Sequence, residues 1–146
     1  MKLCKELILG SKSPRRASLL REMGYDFKVI VTEVDENAPS GLDGEETAVW
    51  ISEQKARALQ PLLENHQLGI TSDTEVWLGH RRYGKPSNAR EAKEMIRSLS
   101  GKTHHVITGL TLCTTSALYS YCSKVKVTFE ALSEEEITYY VNTFNP

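Results

Sequence analysis

"ILGSKSPRRASLL", residues 8–20, joins a short apolar run to a segment whose apolar residues have helical spacing. The run Glu6–Leu9 predicts a strand, which Gly10 closes. Apolar residues then recur over residues 17–23 on one side of a helix until Gly24 ends the pattern. The stretch therefore predicts a strand, a tight polar turn and a helix, which is the first step of an α/β fold.

The start of this helix carries charges of the unexpected sign. Ser13 is expected to cap the helix and Pro14 to be its first residue, where a missing N–H costs nothing. Arg15 and Arg16 then lie in the first turn, where the helix dipole opposes positive charge. An anion bound at the helix start would relieve this conflict. Surface arginines on a capped helix are the alternative interpretation.

Strands and helices continue to alternate in the first half of the chain. Residues 26–32 predict a second strand, and residues 33–46 predict an acidic loop. A helix is expected from about Glu45, with a weak point at Pro61. The apolar run Leu68–Ile70 predicts a third strand, which passes into polar residues and then into a hairpin arm.

The second half of the chain shows the same alternation. Residues 89–99 carry the apolar stripe of a helix, and residues 104–115 and 116–132 are rich in β-branched and aromatic side chains. Ser133 and Glu136 have the spacing of a capping box ahead of a last helix. The chain is therefore predicted to be an α/β protein with a mixed β-sheet flanked by helices.

Length, charge and cysteine content limit the classes of function. The 146 residues suffice for one domain, and 18 basic against 19 acidic residues give a net charge of −1. A protein that coats nucleic acid is therefore not expected, and an anion site must be a local cluster. Cys4, Cys113 and Cys122 are odd in number and well separated, which predicts reduced thiols. With no membrane-length apolar stretch and no signal-peptide pattern, we expect a cytoplasmic protein without a membrane partner.

Several polar residues are candidates for a ligand site, and each also has an ordinary structural interpretation. Asp73 and Thr74 follow a predicted strand, where ligands of α/β sheets commonly bind, although "SDT" is also typical of a turn. Lys55 lies near the apolar side of its predicted helix, as a lysine with a buried stem does. Lys85 in "YGKP" is also typical of a solvated loop.

The motifs taken in order are more specific than any one of them. The sequences SKSPRR, DE at Asp35-Glu36, EQKA, SDT, GKP and LSGKTHHVITG resemble those of the Maf family of nucleoside triphosphate pyrophosphatases, also called septum formation inhibitors. The resemblance extends from Leu7 to about Val141 and implies a Maf/ITPase-like fold with a nucleotide-binding cleft. Arg15 together with Thr74 resembles the subgroup that acts on dTTP and UTP.

The resemblance implies a role for each matching residue. Asp73 corresponds to the proton acceptor in catalysis, and Arg15 and Thr74 correspond to residues that choose the base. Phosphate and metal contacts are implied for the remaining set, which is Ser11, Ser13, Arg16, Lys55 and Lys85 for phosphate and Glu36, with Asp35 as a second candidate, for the metal.

The implied reaction is hydrolysis of dTTP and UTP, or of other or modified pyrimidine nucleotides, to the monophosphate and pyrophosphate. Such chemistry needs positive groups on the phosphates, a base for water and an oxygen-ligated metal. We expect a divalent cation, Mg²⁺ first and Mn²⁺ as the alternative. Candidate physiological roles are removal of unwanted nucleotides and arrest of cell division, and a homodimer is left open.

The end of the chain departs from the pattern of a complete family member, and the histidine pair of the last motif has to be weighed as a metal site. The family continues beyond the equivalent of Asn145 and Pro146 with a segment that carries a glutamine for substrate choice, so residues 1–146 are expected to be a single Maf-like domain without that segment. His104 and His105 lie in the last motif, but neighbours on a strand point to opposite faces. We interpret both as structural.

Two alternatives from other classes remain open at this point. A nucleotide-binding regulator of septation would use the same residues without turnover. A DNA-binding interpretation of "KSPRR" would need a flexible arm or a wider basic surface, and the net charge disfavours it.

Overall fold

A computed structural model describes residues 5–146, so Cys4 lies outside the described residues. The strands in this range are β1 (Glu6–Leu9), β2 (Phe27–Val29), β3 (Gln67–Leu78), β4 (Arg81–Tyr83), β5 (Thr103–Cys113) and β6 (Leu118–Thr128). The helices are α1 (Pro14–Glu22), α2 (Gly44–Leu59), α3 (Ala89–Leu99) and α4 (Glu134–Phe144), and a 3₁₀ turn (Gln60–Leu62) follows α2. The predicted alternation of strands and helices is confirmed.

The six strands form one mixed sheet. Its order is β2-β1-β3-β5-β6, and β4 pairs with β3 outside this path. β1 runs parallel to β2 and to β3, with Leu9 opposite Val29 on one side and Ile70 on the other. β4 runs antiparallel to β3, with Val76 opposite Tyr83. The prediction of a mixed sheet with helices is therefore confirmed.

The described chain divides into two compact units. The first comprises the residues up to Thr74 together with Thr108–Ser123. One apolar cluster of this unit packs α2 against the sheet and consists of Ile8, Ala56, Leu59, Leu63 and Cys113. A second cluster packs α1 against β1 and consists of Leu7, Leu9, Ala17 and Leu20. Burial of these side chains holds both helices beside the central strands of this unit.

The second unit comprises Glu75–Ile107 and Lys124–Pro146. In it α3 packs against α4, and the buried side chains include Leu99, Ile137 and Val141. The predicted capping box is present: Ser133 accepts a hydrogen bond from the backbone N–H of Glu136, whose carboxylate accepts one from the N–H of Ser133. This arrangement satisfies donors that a helix start otherwise leaves without partners.

Two strand predictions were wrong in extent. β2 covers three residues instead of residues 26–32, because among the described strands it pairs with β1 alone and exposes about half of Val29 and Val31. The prediction that Asp73 and Thr74 follow a strand end was also wrong. β3 continues to Leu78 because β4 pairs with its last residues, so both side chains lie within the strand.

Two glycines let backbone segments approach closely. A Cβ atom at Gly10 would lie 2.8 Å from Cγ2 of Thr71, so the turn after β1 passes directly against β3. A Cβ atom at Gly109 would clash with the carbonyl group of Ala48 and lie 2.8 Å from the backbone nitrogen of Val49. α2 therefore rests with its backbone on β5, at a distance that no larger residue permits.

Candidate active site

The site begins where β1 ends and β3 continues. The carbonyl of Ile70 in β3 accepts a hydrogen bond of 2.9 Å from the N–H of Gly10, the first residue after β1. Alternate carbonyls of a strand point to the same edge, so the carbonyl of Ser72 points toward this edge beyond the last residue of β1. It therefore needs a donor other than a strand neighbour.

Two cationic side chains supply that donor. Nη1 of Arg16 donates to the carbonyl oxygen of Ser72 at 3.0 Å, and Nζ of Lys55 donates to the same oxygen at 3.1 Å. Arg16 comes from α1 and Lys55 from α2, so both helices meet β3 at one carbonyl group. Because β1 ends before Ser72, two positively charged groups meet at the carbonyl that β1 leaves without a partner.

Arg16 is held by several acceptors. Besides Ser72, its Nη1 lies 3.5 Å from Oγ of Ser11, and its Nη2 donates to Oγ1 of Thr74 at 3.3 Å. Burial lowers the pKa of Arg16 below its ordinary value, Asp73 and Glu36 oppose this shift, and Arg15 adds to it. An arginine stays protonated despite such a shift, so Arg16 is a fixed positive charge.

Lys55 lies between two carboxylates. Its Nζ is 3.1 Å from Oε1 of Glu36 and 3.7 Å from Oδ1 of Asp73. The side chains of Lys55 and Asp73 retain only 14% and 10% of their exposure, whereas Glu36 retains 55%. The structure therefore brings together Arg16, Glu36, Lys55 and Asp73, four residues that the sequence had predicted to share a site.

The two serines of the first motif shape the turn before α1. Oγ of Ser13 accepts a hydrogen bond from the backbone N–H of Arg16 at 3.4 Å and is the predicted N-cap. Oγ of Ser11 accepts one from the N–H of Ser13 at 3.1 Å. In these two contacts each hydroxyl oxygen is an acceptor, so its hydrogen remains a potential donor to an anion.

Buried hydroxyl groups hold the segment of β3 next to these charged side chains in place. Oγ1 of Thr71 donates to the carbonyl of Ser52 in α2 at 2.7 Å, and Oγ of Ser72 donates to the carbonyl of Gly109 in β5 at 2.8 Å. Oγ of Ser52 also shares a 2.8 Å hydrogen bond with Oγ1 of Thr111. These bonds tie α2 and β5 to the segment of β3 that carries Asp73, so its backbone is rigidly positioned.

Other predicted site residues lie differently. Arg15 is exposed, and Arg16 rather than Arg15 is the arginine that contacts Thr74. Oδ1 of Asp35 accepts a hydrogen bond from the N–H of Asn37 at 2.9 Å and supports the loop. Lys85 is an exposed residue of the second unit. The roles of these residues remain predictions.

Ser72 is the position in the candidate site that the sequence analysis did not predict. Its contribution is a backbone carbonyl, and a backbone group has no signature in the residue type. The available signal was topological, since a short strand beside a longer one leaves carbonyls without strand partners.

The donor set fits a divalent cation that shares its ligands with a substrate. Within residues 5–146 no group of three or more histidine, cysteine, aspartate or glutamate side chains is arranged to hold a metal ion. Glu36 and Asp73 nevertheless converge on a single cation, the Lys55 ammonium. Mg²⁺ commonly binds to one or two carboxylates, with water and substrate phosphates as its other ligands.

No helix within residues 5–146 is both long and apolar enough to cross a bilayer.

Comparison with known proteins identifies relatives over nearly the whole chain. A dTTP/UTP pyrophosphatase of Bacteroides thetaiotaomicron is 44% identical over 142 residues, covering 97% of this chain and 74% of the relative. Proteins of the same name from Flavobacterium johnsoniae and Bacillus mycoides are 38% and 40% identical, and the matches cover 97% of this chain and 73% and 74% of those relatives.

Solved structures with low sequence identity share the fold. The Ham1 protein of Staphylococcus aureus has a TM-score of 0.52 at 17% identity, over 84% of this chain and 70% of that one. Protein VC0702 from Vibrio cholerae has a TM-score of 0.51 at 8% identity, over 96% and 78%. The expected Maf/ITPase-like fold is confirmed. The model of the Maf-like protein family matches residues 6–146, and the chain belongs to this family.

Proposed function

We propose that this protein hydrolyses dTTP and UTP to dTMP and UMP with release of pyrophosphate. The observation that carries the proposal is the similarity, at 44% identity over 97% of the chain, to a protein named dTTP/UTP pyrophosphatase. Other relatives of the same name support it at 38% and 40% identity. The chain is therefore a hydrolase of nucleoside triphosphates.

The charges around Ser72 support binding of a triphosphate. Arg16 and Lys55 direct their cationic groups to one carbonyl oxygen, beside the N-terminus of α1. A guanidinium grips phosphate oxygens in a fork, an ammonium acts as a point charge, and a helix start adds N–H donors. Ser11 and Ser13 add hydroxyl donors, and Lys85 is proposed to add a second lysine.

Asp73 is proposed to be the general base. Its carboxylate is buried within β3 beside the Lys55 ammonium, and the segment around it is held by the Thr71 and Ser72 hydroxyl bonds. In the reaction a water oxygen forms a bond to the α-phosphorus while the bond from that phosphorus to the α–β bridging oxygen breaks. Asp73 takes a proton from the water, and pyrophosphate leaves with the bridging oxygen.

Glu36 and Asp73 are proposed to hold a divalent cation together with the phosphates of the substrate, with Mg²⁺ the first candidate and Mn²⁺ the second. When bound, such a cation supplies Lewis-acid polarisation of phosphate oxygens and neutralises their charge. The two carboxylates share one neighbourhood, as their common contact with Lys55 indicates. The chain's own contribution is to hold these oxygens near each other, with Glu36 on the loop before α2 and Asp73 within β3.

Arg15 and Thr74 are proposed to choose the pyrimidine base. Arg15 is exposed beside the helix start, and Thr74 receives a hydrogen bond from Arg16. A base contact through these groups would lie next to the proposed phosphate site. We further propose that residues 1–146 act as one Maf-like domain in the cytoplasm, with a small nucleotide as the partner; the family match over residues 6–146 supports the domain assignment.

The test is a product analysis with a panel of nucleotides. The protein is incubated with dTTP, UTP, CTP, ATP and GTP in the presence of Mg²⁺, and the products are separated by anion-exchange chromatography. We expect dTMP and UMP with pyrophosphate, and slower turnover of the purine nucleotides. Diphosphate with inorganic phosphate as the first products, or equal turnover of ATP and UTP, would contradict the proposal. Binding without any product would favour the regulator of septation.

A further inference from the structure

Lys55 has a coordination that resembles the ligand set of a metal ion. Its ammonium contacts a carboxylate oxygen of Glu36 at 3.1 Å, the carbonyl oxygen of Ser72 at 3.1 Å and a carboxylate oxygen of Asp73 at 3.7 Å. Carboxylates and carbonyls are the oxygen ligands that hard divalent cations take in proteins. The Lys55 charge thus offsets part of the negative charge of the two side chains proposed to hold the metal.

The same geometry leaves Lys55 able to depart. The Ser72 carbonyl also accepts a 3.0 Å hydrogen bond from Arg16, so it keeps a donor when the ammonium moves away. Arg16 is fixed by further contacts with Ser11 and Thr74, whereas Lys55 carries its charge on a flexible stem of four carbons. Glu36 is more than half exposed and lies in a loop, so it can adapt to another cation.

We propose that Lys55 is an internal counter-cation that competes with free divalent metal for Glu36 and Asp73 until a triphosphate arrives. The nucleotide offers the ammonium a second anionic partner, so Lys55 moves from the carboxylates to the phosphates. The carboxylates then accept the metal that accompanies the nucleotide. This inference rests on the proposed function and adds that metal and nucleotide bind with positive coupling, while free metal binds weakly.

The energetic argument is electrostatic. With Lys55 in place, a second cation near Glu36 and Asp73 meets the Lys55 ammonium at short range in addition to the fixed charge of Arg16, which opposes its binding. Removal of the Lys55 charge leaves two carboxylates close together without their shared cation, which favours a divalent ion. Coupling between two ligands is reciprocal, so the nucleotide must raise metal affinity by the same factor by which the metal raises nucleotide affinity.

The first experiment measures Mn²⁺ binding without nucleotide, by electron paramagnetic resonance of the free ion. Lys55→Met keeps an unbranched side chain that is one atom shorter and removes its charge. We expect this variant to bind Mn²⁺ more tightly than the unsubstituted protein by about tenfold or more. Equal or weaker binding by a folded Lys55→Met protein would overturn the inference.

Two control variants separate the position of the charge from its number. Lys28→Met removes a lysine that pairs with Glu6 at 2.7 Å in the same unit and is expected to leave Mn²⁺ affinity unchanged. Lys55→Arg keeps a positive charge at the site and is expected to bind free Mn²⁺ as weakly as the unsubstituted protein. If Lys28→Met tightened Mn²⁺ binding as much as Lys55→Met does, the effect would come from the net charge of the protein, and the inference would be overturned.

A second measurement tests the coupling and covers the case in which Lys55→Met folds poorly. Mn²⁺ binding is repeated with a UTP analogue whose α–β bridge is a methylene group and resists hydrolysis. In the unsubstituted protein, Mn²⁺ should bind more tightly when the analogue is present, by more than the affinity of the analogue alone for Mn²⁺ explains. In Lys55→Gln this increase in Mn²⁺ affinity should be smaller. An unchanged gain in Lys55→Gln would contradict the exchange of partners.

Neither measurement depends on turnover, so the proposed pyrophosphatase activity and the proposed role of Lys55 can be contradicted independently. If Lys55→Met bound Mn²⁺ more tightly but the unsubstituted protein released no pyrophosphate, the counter-cation role of Lys55 would stand and the proposed activity would be rejected. If the protein released pyrophosphate but Lys55→Met left its Mn²⁺ affinity unchanged, the proposed activity would stand and the counter-cation role would be rejected.

Discussion

Arg16 donates a hydrogen bond of 3.0 Å to the carbonyl oxygen of Ser72, a residue 56 positions further along the chain. This bond joins the first turn of α1 to the part of β3 that extends past β1. It also accounts for the unfavourable charge at the helix start, because the guanidinium of Arg16 is turned toward oxygen acceptors of the protein. The neighbouring Arg15 remains exposed.

This difference between the two arginines predicts different effects of their removal. Arg16→Ala should weaken binding of every nucleoside triphosphate, because it removes both the cation proposed to bind phosphate and the link to Ser72 and Thr74. Arg15→Ala should instead reduce the discrimination between UTP and ATP, because Arg15 is proposed to face the base. The measurement is kcat/KM for UTP and ATP in each variant. Parallel losses for both nucleotides in both variants would contradict the separation of roles.

The close approach of α2 to β5 predicts a steric effect on stability. In Gly109→Ala the new methyl group clashes with the backbone of Ala48 and Val49, so the free energy of unfolding should fall by about 2 kcal/mol or more. Gly84→Ala is the matched control, because no heavy atom of the described residues 5–146 lies within 4 Å of a Cβ atom at Gly84. Urea unfolding followed by circular dichroism checks both variants. Equal stabilities would show that α2 can shift without cost.

Buried His104 predicts a loss of stability in acid. It retains 3% of its exposure, packs edge-on against Phe129, and within residues 5–146 its Nδ1 has no hydrogen-bond partner. Burial, with a smaller contribution from His105, lowers the pKa of His104 below its ordinary value of 6.5. The unfolded chain therefore binds a proton that the folded chain resists, so stability falls as the pH drops below about 6.5.

The check is urea unfolding at about pH 7.5 and about pH 5.5, on either side of the ordinary histidine pKa. The unsubstituted protein should lose more stability between these values than His104→Leu, which has no group to titrate at this position. His80→Leu, in the exposed turn before β4, should retain the full loss. The same pH dependence in His104→Leu and in the unsubstituted protein would assign the effect to other groups.

Local patterns in the sequence predicted most elements of the fold. Ser13 and Pro14 set the start of α1, and Ser133 with Glu136 set the start of α4, because capping depends on residues within one turn. The extents of β2 and β3 were mispredicted because they depend on pairing. β2 has one partner strand, and β3 gains β4 as a partner beyond the point where β1 ends.

The sequence analysis predicted which residues form the candidate site better than it predicted how they contact each other. The resemblance of the ordered motifs to the Maf family identified Arg16, Glu36, Lys55 and Asp73, which the structure brings together. The meeting point at the Ser72 carbonyl, and the contact of Arg16 rather than Arg15 with Thr74, depend on where strands end in three dimensions. Residue types carry no signal for either feature.

The central claim is that the protein hydrolyses a pyrimidine nucleoside triphosphate with Asp73 as the base. Its most direct test is the rate of pyrophosphate release from dTTP by the unsubstituted protein and by Asp73→Asn, with dTTP affinity measured calorimetrically in the absence of metal. We predict pyrophosphate release by the unsubstituted protein, a loss of about a hundredfold or more in the variant, and an affinity that is unchanged or higher because a repelling carboxylate is gone. A normal rate in Asp73→Asn, or inorganic phosphate as the first product, would contradict the account.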